Sequence, residues 1–232
     1  AASTAPVAVI TKSEAGLPAR TRPTTTGTLT WRFTADSVRD FAFAASPNFQ
    51  WDASSWEGVM IHTLYRPSAT LWAEANKMTN EALAYFSRQW IRYPYPQFTR
   101  IEGPIEGMEN PMITFDPTGP TREDVHWVLA HELGHQWMPM VVGSNERLYP
   151  WMDEGFNSYM NILSGSAFQA KPANLDGVGQ RYGTISGNEA ETNMMTNANY
   201  DGPMYGFTTY MKAPMMLSML GAIVGDSAVT RA

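Results

Sequence analysis

A chain of 232 residues, 44% hydrophobic and 16% charged, is long enough to bury a sizeable core in one domain or two small ones. Its net charge of −6 excludes the basic surface that nucleic acid or an anionic membrane would require. It has no cysteine, which removes disulfides, thiolate metal sites and cysteine nucleophiles. A metal site must therefore draw on Asp, Glu and the four histidines, His62, His126, His131 and His135.

No stretch reaches the roughly 18–20 apolar residues that span a bilayer, so no transmembrane segment is expected in this chain. The first residues lack the basic and apolar regions of a signal peptide, and they lack an initiator Met. The expectation is a processed or cut piece of something longer, with the compartment open. Residues 1–27, rich in Ala, Thr and Pro, read as an irregular lead-in that ends a preceding β-domain. The main domain is expected over 28–232, cut short at its C-terminal end.

Strand-like runs follow at 28–33, 38–45 and 58–65, with Asn48 and Asp52 in the intervening turns, so the first third reads as a mainly antiparallel sheet. A helix is expected over 68–91, capped by Ser68 and stopped by Tyr93-Pro94-Tyr95-Pro96. Short strands near 98–101 and 112–115 flank a Gly/Pro loop. Thr121 with Asp124 three residues on opens a helix that runs through Trp137 before Pro139. Further helices are expected over 151–163 and 205–224, the second kinked at Pro214, with 172–199 mostly loop. Strands first and helices after give an α+β class.

The run His131-Glu132-Leu133-Gly134-His135 fits H-E-x-x-H. On a helix, positions i and i+4 share a face, so both imidazoles can reach one ion, while Glu132 lies beside it as a general base. Trp151-Met152-Asp153-Glu154-Gly155-Phe156 supplies a third ligand, Glu154, with eighteen residues between it and His135. Two His and one Glu leave the fourth position of a zinc ion open. Asp153 and Glu146 are rival carboxylates, and Asp153 reads better as a support or a surface group. His126 and His62 read as packed or surface histidines.

These motifs resemble the zinc aminopeptidases of the aminopeptidase N type, within the gluzincin metallopeptidases. Glu106-Gly107-Met108-Glu109-Asn110 is similar to the family's G-A-M-E-N exopeptidase motif, and Tyr210-Met211-Lys212-Ala213 to its catalytic-tyrosine segment. Glu106 and Gly107 depart from that first motif, Asp153 stands where Asn is frequent, and Ala213 stands where Gly is frequent.

The resemblance implies a thermolysin-like catalytic domain with one zinc ion, hydrolysing the N-terminal peptide bond of peptides or proteins by attack of zinc-bound water. It also implies that N- and C-terminal regions of a longer enzyme partner this chain. In that scheme Tyr210 assists at the oxyanion, Glu109 pairs with the substrate's α-ammonium, and Gly107 and Met108 line the same subsite. The alternatives are a zinc endopeptidase of the same clan and a noncatalytic zinc-bearing scaffold.

Overall fold

A computed structural model describes residues 37–105, 107–200, 202 and 204–231. It also describes the backbone of two short parallel-paired strands, β1 (Ala8–Val9) and β2 (Trp31–Arg32). The lead-in at 1–27, the strand expected over 28–33 and Glu106 otherwise lie outside the described residues.

A five-stranded sheet is built from β3 (Gln50–Trp56), β4 (Val59–Tyr65), β5 (Gln97–Glu102), β6 (Met108–Asn110) and β7 (Ile113–Asp116), in the order β3-β4-β5-β7-β6. The α+β expectation holds, but the sheet is mixed. Its outer pairs are antiparallel, while β4–β5 and β5–β7 are parallel. Parallel neighbours need a crossover, and α1 (Ala75–Gln89) supplies the one between β4 and β5. All six residues of the central strand β5 are buried, as expected of a strand paired on both edges and covered on its faces.

Asp52 belongs to β3 rather than to a turn, and its carboxylate accepts the Tyr65 hydroxyl at 2.7 Å. Residues 38–45 form no strand. The side chains there alternate in exposure, but no described strand pairs with them. Ser68 does not cap the following helix, which opens as a 3₁₀ turn over Thr70–Glu74 behind Ala69.

Thr121 does cap α2 (Arg122–Gly134): its hydroxyl accepts from the Asp124 amide at 3.1 Å. The helix ends at Gly134, short of Trp137. Beyond it lie α3 (Phe156–Gln169), entered through a π turn at Trp151–Gly155, and α4 (Leu175–Gly183). The α4 helix occupies part of the segment expected as loop, with Asn174 accepting from the Gly177 amide at 2.9 Å. The run after it comprises α5 (Tyr205–Phe207), a π turn at Thr208–Lys212, α6 (Ala213–Val224) and α7 (Asp226–Arg231).

Pro214 therefore sits in the first turn of α6 instead of at an interior kink. It has no N–H for the carbonyl four residues back, which is that of Tyr210, and a π turn there absorbs the mismatch.

The core lies between the sheet and α1 and α2, where Ile61, Phe98, Trp72, Met78, Leu83, Phe86, Leu129 and Leu133 meet. His62 and His126 are buried, as packed histidines. Trp51 Nε1 donates to His62 Nδ1 at 3.2 Å, and His126 stacks on Phe168 at 3.7 Å between ring centroids. No helix of the described residues is long and apolar enough to cross a membrane.

Candidate active site

The helix α2 is held from two sides at the turn carrying the H-E-x-x-H run. On the sheet side, Arg100 of β5 is fully buried, donating to the Leu129 carbonyl and to Asp116 Oδ1 of β7, both at 2.7 Å. On the other side, Asn157 and Asn161 of α3 donate to the carbonyls of His131 and Trp127 at 2.8 and 3.1 Å. These asparagines are four residues apart, as are their acceptors, so two helix faces meet in register. Gly134 makes this approach possible, because a Cβ there would stand 2.0 Å from Asn157 Oδ1.

Three donor atoms converge. His131 Nε2 lies 3.0 Å from Glu154 Oε2, His135 Nε2 lies 3.3 Å from the same oxygen, and the two Nε2 atoms are 3.3 Å apart. Donors about 2.0–2.1 Å from a tetrahedral centre stand about 3.4 Å from one another, so this triangle is sized for one metal ion. His135 Nδ1 donates to the Met138 carbonyl at 2.8 Å, which leaves Nε2 as the lone-pair nitrogen facing the site. Asp153 Oδ1 is 2.9 Å from the same Nδ1, an electrostatic neighbour.

Glu109, His135 and Asp153 also gather within 4.8 Å of one another. That trio offers a single imidazole, and its Asp153 lies against the nitrogen committed to Met138. The set of His131, His135 and Glu154 is the better metal cradle.

Glu132 is buried beside this triangle, and its Oε2 has no hydrogen-bond partner among the described residues. Its Oε1 faces the backbone of Gly107, where a Cβ would come within 2.8 Å. Gly107 has φ of 95°, a conformation that side-chain-bearing residues rarely adopt.

The next residues, Met108 to Asn110, form β6, a short strand absent from the sequence expectation, with Glu109 opposite Thr114 of β7. Gln136, just past the second histidine, braces that strand against α2. Its Nε2 donates to the Asn110 carbonyl at 2.9 Å, and its Oε1 accepts the Met112 amide at 2.8 Å. Sequence reasoning missed Gln136, Asn157 and Arg100, which act on backbone carbonyls and amides far along the chain and carry no local signature. Met108 and Tyr210 are among the exposed large side chains, and the Tyr210 ring centroid is 6.0 Å from that of His131.

The electrostatics call for a cation. Burial pushes the Glu132 carboxyl up to about 9, with Asp116, Glu109 and Glu154 adding to the rise and His135 opposing it. Burial likewise raises Glu109, and lifts Asp153 to about 6. Burial would raise Glu154 too, but His135 and the bonds from both histidines outweigh it and hold that carboxyl below the usual range. Burial and then Glu154 raise the Tyr210 hydroxyl, keeping it a donor. Four carboxylates thus surround two imidazoles, and Arg100 is the one Lys or Arg buried among the described residues. A divalent ion on the three donors would reverse the trend at Glu132 and favour its carboxylate.

Residues 74–232 match the family model described as the peptidase family M1 domain. Aminopeptidase N of Homo sapiens is 32% identical over 124 residues, covering 46% of this chain and 13% of the human protein. Aminopeptidase N of Acetobacter pasteurianus is 32% identical over 98 residues, covering 35% of this chain and 28% of that protein. A mutant of the M1 zinc metallopeptidase from Deinococcus radiodurans superposes with a TM-score of 0.61 at 19% identity, covering 79% of this chain and 43% of that one. The chain thus spans less than a third of each curated relative and under half of the solved structure. The match covers more than half of the chain, which therefore belongs to peptidase family M1.

Proposed function

We propose that the protein is a zinc aminopeptidase, with His131, His135 and Glu154 holding the ion. The observation that carries this reading is the triangle of three donors at 3.0–3.3 Å with the buried, unpartnered Glu132 carboxylate beside it. Zinc supplies a Lewis acid that polarises the scissile carbonyl and makes water acidic enough to ionise near neutral pH.

Glu132 accepts the proton of the attacking water on its free oxygen and returns it to the leaving amine nitrogen. The Tyr210 hydroxyl donates to the carbonyl oxygen as negative charge develops there. Glu109, carried on the edge strand and braced through Gln136, pairs with the substrate's α-ammonium, which confines cleavage to the first peptide bond. Gly107 and Met108 line that subsite. Peptide or protein N-termini are accordingly the substrate class, in keeping with the names of the relatives.

The test compares an aminoacyl p-nitroanilide with its N-acetyl analogue. The free-amine substrate should be hydrolysed, a chelator should abolish the reaction and zinc should restore it, and the blocked analogue should be inert. Equal cleavage of N-blocked peptides would instead assign an endopeptidase. No cleavage by zinc-loaded protein would assign a scaffold.

A further inference from the structure

Tyr210 sits at the centre of a five-residue π turn, and both ends of that turn are tied to consecutive residues of the segment before it. At the first end, Thr208 Oγ1 lies 3.0 Å from Thr192 Oγ1 and donates to the Thr192 carbonyl at 3.4 Å. At the last, Lys212 Nζ donates to Glu191 Oε1 at 2.6 Å. Glu191 is itself fixed. The Tyr182 hydroxyl of α4 also donates to Oε1, and the Gly187 amide donates to Oε2 at 2.8 Å. With three donors on it, this carboxylate is 16% exposed.

A neighbouring face of the turn meets a wall. A Cβ at Gly155, next to Glu154, would stand 2.4 Å from Ala213 Cβ and 3.0 Å from the Thr209 carbonyl. The turn cannot retreat toward Glu154 without collision, and it cannot move away without breaking the bonds to residues 191 and 192. A π turn interrupts the regular backbone ladder, so its geometry depends on such outside supports. The polar 184–199 segment, which carries no reacting group, has a task on this view.

We propose that Glu191 and Thr192 form a latch that sets the position of the Tyr210 hydroxyl, with Glu191 as a positioning residue for the reaction. The inference rests on the reading of Tyr210 as the donor to the developing oxyanion. A shift of about 1 Å in such a group can cost about 100-fold in rate.

Glu191→Ala and Lys212→Met break the same ion pair from opposite sides. Each should lower kcat on an aminoacyl p-nitroanilide by about 10–100-fold, with KM and zinc content held. In a Tyr210→Phe background the same changes should cost less than about twofold, because the hydroxyl they position is gone. The amides of Thr208–Lys212 should also exchange hydrogen faster in both variants than in the parent protein. Equal losses in the two backgrounds, or unchanged exchange at 208–212, overturn the latch. A parent enzyme that does not hydrolyse the anilide counts against the aminopeptidase reading instead, and the exchange measurement then decides the latch by itself.

Discussion

Glu132 and Gly107 constrain one another, since a Cβ on the glycine would stand 2.8 Å from Oε1 of Glu132. Gly107→Ala should therefore displace the carboxylate and, with φ at 95°, strain the loop by about 1–3 kcal/mol. The expected outcome is a fall in kcat of about 10–100-fold with zinc still bound, read from steady-state kinetics on metal-loaded protein. Glu132→Gln should keep zinc and remove most turnover, and unchanged turnover would take Glu132 out of the mechanism. Glu109→Ala should raise KM for free-amine substrates and leave the binding of N-blocked peptides almost unchanged. The pairing of His131 with His135 was legible in the sequence because helical spacing turns a pattern of residues into a pattern of directions, and Glu154 was legible as the carboxylate of a second helical run. The roles proposed for Glu109 and Tyr210 rest on resemblance, because a carboxylate in a Gly/Pro-flanked loop and a tyrosine among methionines have no spacing of their own. The brace from Gln136 was invisible, since any hydrogen-bonding side chain there looks alike in sequence.

Between elements, the asparagine pair of α3 separates fixing the fold from fixing the site. Asn157→Ala and Asn161→Ala each remove one buried bond to a carbonyl of α2, and each should cost about 1–3 kcal/mol in denaturant unfolding. Only Asn157 bonds at His131 itself, so kcat per folded molecule should fall for Asn157→Ala and hold for Asn161→Ala. Thr121→Ala should cost about 1 kcal/mol with no effect on kcat per folded molecule. The helix α2 was readable because cap and apolar run agree. Residues 38–45 misled because alternating apolar residues suggest a strand even where no partner strand closes the ladder. The helix α4 was missed because Gly177, Gly179 and Gly183 lower its intrinsic preference, and its Asn174 cap carries the start. The sheet's parallel centre was missed because the order of pairing is decided by where α1 crosses, not by any strand's own composition.

For the molecule as a whole, the two buried histidines outside the site set an acid limit. Burial lowers both His62 and His126 to about 4 from an ordinary 6.5, and Arg100 and Arg122 add to the effect at His126. A pKa depressed on folding means that the unfolded chain binds protons that the native one refuses. Their contribution is therefore complete above pH about 6.5 and is lost as the pH falls toward 4. Each should cost on the order of 1–3 kcal/mol across that window. A His62→Gln/His126→Gln variant should lose less stability between pH 7 and pH 5 than the parent in urea titrations, and an equal loss would refute the assignment. The buried Arg100–Asp116 pair makes a parallel prediction. Arg100→Met alone should destabilise by about 3–5 kcal/mol, and pairing it with Asp116→Asn should recover part of that, because the single change strands a buried charge. The proposed chemistry depends on the metal cradle, and metal analysis of the purified, dialysed protein by plasma emission decides whether that cradle holds an ion. The prediction is about one zinc per chain in the parent and in Glu132→Gln, and less than about a tenth of that in Glu154→Ala. A parent protein that holds no zinc, or a Glu154→Ala protein that holds as much as the parent, would rule out His131, His135 and Glu154 as the zinc ligands.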